Sequence, residues 1–223
     1  MNMKERRDQL GTETAGKINA SNLKKNFCEF CRLLYERNLV SGVGGNMSAR
    51  AGNNIFLTPT GYSLRDVGPD VVVEVNNKGE VLEGGTPTKD AGMHLGILRA
   101  RDSVNVVCHV HGAYIVAATT ILDPGPDTLP PLTPGFTFYA YPLPMIPFLV
   151  PGTEILTESV IRELSNEKRR ALFLQNHGLV TVGKDFGEAL NVAEEIDEAA
   201  RIFVLTGGRA RAISQEHLAN LQG

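Results

Sequence analysis

The stretch Val104-Asn105-Val106-Val107-Cys108-His109-Val110-His111 alternates as a β-strand does, and its far end carries two histidines. Strand side chains point to opposite faces with a period of two. Val104, Val106, Cys108 and Val110 fall on one face, and Asn105, Val107, His109 and His111 on the other. Two imidazoles at i and i+2 project together, close enough to chelate one ion. Neutral imidazole suits zinc and neighbouring transition metals, which need at least one more ligand. Taken alone, an H-x-H pair is equally well read as ordinary surface or core histidines.

On the amino-terminal side, Lys89 to Arg101 has helical spacing, with Met93, Ile97 and Leu98 as core contacts. Ile55-Phe56-Leu57 and Val71 to Val75 read as strands, and Asn76-Asn77-Lys78-Gly79 as a hairpin turn into Glu80-Val81-Leu82. Further back, Leu23, Phe27, Phe30, Cys31 and Leu34 mark a helix that Ser21 can cap. Residues 1 to about 20 form a polar lead-in. On the carboxyl side a Pro-rich stretch from Asp123 to Pro151 is too broken for long helices. It is expected to wrap the surface, line a site or meet a neighbouring subunit. Thr157 to Leu164 is helical, and Ala171 to Gln175 and Val180 to Val182 are strands. Asp185 with Glu188 opens a last long helix that stops at Gly207-Gly208. Strands interleaved with helices, without repeat or linker, make residues 21–223 a single α/β domain.

The 223 residues carry 22 basic and 25 acidic side chains, a net charge of −3, which gives no electrostatic case for nucleic acid. Three cysteines cannot make a disulfide framework. Cys28-x-x-Cys31 lies within a helix without a second metal-binding pair, so it reads as core packing. The amino terminus lacks the apolar stretch of a signal peptide, and no run approaches the roughly 18 apolar residues of a membrane span. The expectation is a soluble cytoplasmic protein with no membrane partner.

Of five histidines, His177 lies at a strand end in Gln175-Asn176-His177-Gly178, where a side chain can face a cleft. His94, inside a helix, is expected to pack or to bond the backbone, and His217 has no supporting context. Thr88, Lys89 and Asp90 sit at a helix start, where free N–H groups favour an anion, although capping is the plainer role for Thr88 or Asp90. Gly45-Asn46 and Thr60-Gly61 are small, donor-rich turns suited to cradling an oxyanion.

Gly45-Asn46-Met47-Ser48, Thr58-Pro59-Thr60-Gly61, Pro87-Thr88-Lys89-Asp90, His109-Val110-His111 and Asn176-His177-Gly178-Leu179 occur in one order between residues 45 and 179. The series resembles the class II aldolase/adducin family from roughly residue 20 to 215. The resemblance implies a three-layer α/β/α fold around a mainly antiparallel sheet. It implies His109, His111 and His177 as ligands of a divalent metal, zinc first and manganese or cobalt as alternatives. It implies Asp90 as the acid/base, and Gly45, Asn46, Thr60, Gly61, Thr88 and Lys89 as the phosphate- and substrate-binding set. It also implies a homotetramer with sites between subunits, acting on a phosphorylated sugar or keto acid. The activity implied is aldol cleavage of a phosphorylated ketose through a metal-stabilised enediolate. The alternatives are 3-oxo-tetronate 4-phosphate-type decarboxylation, sugar-phosphate 4-epimerisation and a non-catalytic adducin-like module.

Three departures bear on that choice. Aldolases of the family usually carry Glu where this chain has Asp90, whereas its epimerases carry Asp. Lys89 replaces the common Ser, and Pro87-Thr88-Lys89-Asp90 and Leu129-Pro130-Pro131-Leu132-Thr133-Pro134 look closer to the decarboxylase branch. The family's proton-donating tyrosine aligns near Gly135-Phe136, leaving Tyr139 and Tyr141 as the substitutes at hand.

Overall fold

The computed structural model describes residues 20–222; the polar lead-in lies outside the described residues. Helix α1 (Ala20–Glu36) begins before Ser21, so the serine lies inside the helix it was expected to cap. Eight strands follow in one sheet: β1 (Asn46–Ala51), β2 (Asn54–Leu57), β3 (Val73–Asn76), β4 (Val81–Glu83), β5 (Val106–Val110), β6 (Met145–Ile146), β7 (Ala171–Leu174) and β8 (Gly178–Gly183). Their order is β4-β3-β2-β1-β5-β8-β7-β6, antiparallel throughout except for the parallel pair β6–β7. The remaining helices are α2 (Ala91–Ala100), α3 (Ala113–Ile121), α4 (Pro134–Tyr139), α5 (Glu154–Leu164), α6 (Phe186–Leu205) and α7 (Gln215–Gln222).

Because β5 is central, both of its faces are covered, and alternation sorts its side chains between two cores. Val106, Cys108 and Val110 join Phe27 and Cys31 of α1 and Ala193, Ile196 and Ala200 of α6. Val107 joins Met93, Ile97 and Leu98 of α2 and Leu156, Val160 and Leu164 of α5. The expected three layers therefore exist, with α1 and α6 on one face of the sheet and α2 and α5 on the other. Val104 departs from the expected face and packs with the second cluster. Its N–H bonds back to Arg101 O in a turn, so the extended alternation starts only at Val106.

Local chemistry sets the boundaries that matter for the site. Asp185 caps α6 by accepting from Glu188 N, while Glu188 accepts from Lys184 N, a reciprocal clasp on the first turn. At the other end Gly207 and Gly208 take φ of +60° and +72°, and their N–H groups close on Val204 O and Phe203 O. In the Pro-rich stretch the six-residue α4 and the two-residue strand β6 form, α4 with Thr133 accepting from Phe136 N and Pro134 in its first turn. Cys28, Cys31 and Cys108 are buried free thiols, and burial pushes each upward, Cys108 to about 12. Such thiols pack rather than react. Among the described residues no helix is long and apolar enough to cross a membrane.

Candidate metal and acid–base site

His109 is buried near the end of β5, between Asn46 of β1 and Val180 of β8. Its Nδ1 lies 3.1 Å from Leu179 O, and a carbonyl only accepts, so Nδ1 carries the ring proton and Nε2 presents its lone pair. His111 sits just past the strand, tied down by its N–H to Leu39 O, with Nε2 at 2.9 Å from His109 Nε2. His177 enters from the β7–β8 turn. Asn176 adopts φ of +54° there, a left-handed position that Asn tolerates, and His177 N closes on Leu174 O. The three ligand atoms lie within 4.8 Å of one another, and the ring centroids are 4.5, 4.9 and 5.1 Å apart.

Burial is the first cause that lowers all three imidazoles. His109 is pushed well below its ordinary range, with His111 and His177 adding repulsion. His111 falls to about 4 through burial and then His177, against the pull of Asp90, and His177 is lowered by burial, again opposed by Asp90. At neutral pH these are neutral donors. His177 Nδ1 is buried without a hydrogen-bond partner. Three neutral nitrogens, one of them orphaned and another backed by a carbonyl, fit a divalent ion that prefers imidazole.

Asp90 occupies the N-cap position of α2 but makes no side-chain cap. Its Oδ2 instead accepts from Asn46 Nδ2 at 2.7 Å. Asn46, expected to cradle an anion, has its side-chain amide engaged on both sides, since its Oδ1 lies 2.5 Å from His94 Nε2. Gly45 precedes it with φ of +78°. Thr60 N donates to Thr86 O and Thr88 N to Thr58 O, so the Thr60-Gly61 turn lies against the segment leading to Thr88 and Lys89. Thr88 is buried and accepts from Asp90 N, while Gly61 and Lys89 are exposed.

Tyr139 and Tyr141 pack on the first core cluster, whereas His109 projects to the other face of the sheet. Tyr141 Oη donates to Asp127 Oδ2 at 2.6 Å, a bond that pushes the phenol up to about 12. The structure thus gathers the histidines and Asp90 but sets the two tyrosines apart from them within one chain. His94 and Ser48 are what the sequence reading missed. His94 is fully buried and bonds Ser48 and Asn46 side chains rather than the backbone. The available signal was the i, i+2 spacing of Asn46 and Ser48, which puts both on one strand face, and the i, i+4 spacing of Asp90 and His94 on one helix. His217 is exposed and bonds Ser214.

A sheet of this topology with a three-histidine cluster at a strand end finds its match in a known family. The profile of the Class II Aldolase and Adducin N-terminal domain matches residues 25–204, and the chain belongs to this family. Among curated relatives, an L-fuculose phosphate aldolase of Methanococcus maripaludis is 35% identical over 79% of this chain and 93% of its own. A 3-oxo-tetronate 4-phosphate decarboxylase of Haemophilus influenzae is 31% identical over 86% of this chain and 91% of its own. A solved Escherichia coli structure, whose description leaves aldolase, epimerase and decarboxylase open, superposes with a TM-score of 0.85. It is 26% identical over 92% of this chain and 99% of that one.

Proposed function

We infer that the protein is a metal-dependent carbon–carbon lyase that cleaves a phosphorylated ketose by retro-aldol reaction. The observation that carries this reading is the Asp90 carboxylate set beside three neutral, converging imidazoles. The divalent ion that His109, His111 and His177 would hold, zinc first and manganese or cobalt as alternatives, supplies a Lewis acid for a substrate carbonyl. In the cleavage of a 1-phosphoketose the C4 hydroxyl loses its proton and the C3–C4 bond breaks. The aldehyde leaves, and the electron pair stays on the carbon beside the carbonyl. Asp90 delivers a proton to that carbon, or removes it in the reverse direction. Thr60, Gly61, Thr88 and Lys89 bind the phosphate, with Lys89 adding a cation, and that remote contact fixes the position of the reacting carbon. Gly45 and Asn46 complete the substrate-binding set in this reading.

Decarboxylation of a phosphorylated 3-oxo acid is the second reading. There the C1–C2 bond breaks, CO2 leaves, and the same carbon waits for the same proton. Lys89 and the longer match to the decarboxylase of Haemophilus influenzae favour it. The aldol reading suits a homotetramer in which a tyrosine such as Tyr139 or Tyr141 of a neighbouring copy exchanges the C4 hydroxyl proton, taking it up on cleavage and protonating the C4 alkoxide in the reverse direction. Either reaction suits a cytoplasmic enzyme of carbohydrate metabolism.

The deciding experiment incubates zinc-loaded protein with L-fuculose 1-phosphate and, separately, with 3-oxo-tetronate 4-phosphate, while dihydroxyacetone phosphate, aldehyde and CO2 are measured. Aldehyde together with dihydroxyacetone phosphate is the expected result. CO2 without aldehyde transfers the assignment to the decarboxylase. A purified chain that holds no stoichiometric metal and binds neither zinc nor manganese sinks both.

A further inference from the structure

Behind Asp90 the fold builds a buried chain of side chains, of which His94 and Ser48 have no part in the chemistry above. Asn46 and Ser48 point to the same face of β1, and α2 lays His94, one turn beyond Asp90, across both. Ser48 Oγ is 2.8 Å from His94 Nδ1, His94 Nε2 is 2.5 Å from Asn46 Oδ1, and Asn46 Nδ2 is 2.7 Å from Asp90 Oδ2. Ser48 and His94 are fully buried, and Asn46 is 7% exposed, so water does not replace these partners.

Hydrogen-bond polarity propagates along the chain. A carboxylate accepts only, so the Asn46 NH2 faces Asp90 and its carbonyl oxygen faces His94. That oxygen needs a donor, so His94 carries its ring proton on Nε2. Burial pushes His94 down to about 4, with Asp90 pulling the other way, so the ring is neutral and Nδ1 is an acceptor for the Ser48 hydroxyl. A reversed Asn46 amide would set carbonyl oxygen against carboxylate oxygen. The His94 tautomer forbids that reversal, because it would place Nε2–H against an NH2 group.

The geometry points to His94, locked by Ser48, as a positioning residue that fixes the Asn46 amide and through it holds the Asp90 carboxylate toward the histidine cluster. This inference rests on the reading of Asp90 as the acid/base. It gives His94 and Ser48 a part in the proton transfer although neither touches substrate.

Two measurements test it. Histidine 15N NMR of the full chain, with and without zinc, should show His94 as the Nε2–H tautomer. An Nδ1–H or doubly protonated ring at pH 7 overturns the inference without any activity being read. The second measurement is exchange of the hydroxymethyl protons of dihydroxyacetone phosphate with D2O, the proton step common to both reactions above. His94→Phe should lower the maximal exchange rate roughly 10- to 100-fold, with zinc stoichiometry and KM within twofold of the parent. His94→Gln, whose amide can donate from near the Nε2 position, should recover most of that loss. Should His94→Phe fail to fold, as judged by circular dichroism, Ser48→Ala takes its place and should cost a few-fold in rate with a mixed His94 tautomer. Asp90→Asn is the reference. If it abolishes exchange while His94→Phe, or Ser48→Ala in its place, retains the full rate, the positioning role is wrong and the acid/base reading stands. If Asp90→Asn exchanges normally, both fall.

Discussion

Gly178 shows how little room the histidine cluster leaves. A methyl group there would come to 2.4 Å from Val110 O and 2.7 Å from His111 Cδ2, closer than real contacts permit. Gly178→Ala is therefore expected to destabilise the fold by about 1–3 kcal/mol and to turn His111 out of register. A urea titration followed by circular dichroism and a zinc titration check the two effects, and unchanged zinc affinity would contradict the second. His177 can be lost more cheaply to the fold, since it is half-buried and its Nδ1 already lacks a partner. His177→Ala should keep the unfolding free energy from urea titration within about 0.5 kcal/mol of the parent, the usual range for changes away from packed features. It should weaken zinc binding roughly 100-fold or more, beyond the loss typical of outer-shell partners. At this scale the sequence made the pairing of His109 and His111 legible, because a strand's period of two is a local property. It could not make His94 legible, because helical spacing says which side of α2 the ring lies on and not which strand residues it meets.

At the scale of the element, end signals proved more legible than internal phase. Asp185 and Glu188 announced the start of α6, and both make the bonds expected of such a start. Asp185→Ala removes the acceptor for Glu188 N and should cost about 1 kcal/mol. The measurement is the shift in urea midpoint at unchanged slope, and a shift indistinguishable from zero would mean that the Glu188–Lys184 bond alone secures the turn. The phase of β5 was read correctly from Val106 onward and wrongly at Val104, where the Arg101 turn interrupts the strand. No Gly or Pro marks the break; the turn is carried by Asp102 and Ser103, a weaker signal than the valine alternation that follows. The Pro-rich segment was legible in what it prevents, long helices, but not in where it lies against the first core cluster.

For the whole molecule, burying neutral imidazoles has a consequence for acid stability. His94 and His111 stand at about 4 in the folded chain, against about 6.5 when unfolded. Between those values the unfolded chain binds more protons, so stability conferred by these groups is complete above pH 6.5 and is lost as pH falls toward 4. Asp197 works in the opposite sense: burial first, against Arg201, raises it to about 6, so its protonation favours folding as pH falls. Burial lowers His109 and His177 as well, and Glu195, raised by burial and its acidic neighbours, sides with Asp197, so four histidines against two carboxylates leave the first trend in command. The metal-free protein should lose at least roughly tenfold in folding equilibrium per pH unit between 6 and 4.5, by urea unfolding. With no Trp in the chain, far-UV circular dichroism is the suitable probe. A midpoint that rises on acidification would overturn the expectation.

The sequence by itself determined the α/β class, the strand that pairs His109 with His111, the caps of α6 and, through motif order, the family. These are properties of spacing along the chain or of several motifs kept in one order. Only the tertiary structure decided that His177 Nδ1 is left without a partner beside that pair, and that Asn46 serves Asp90 and His94 with the same amide. It alone decided that Tyr139 and Tyr141 pack on the first core cluster, across the sheet from His109. Those outcomes depend on which faces of β1, β5, β8 and α2 meet. Burial against distant elements sets those meetings, and no local period encodes them.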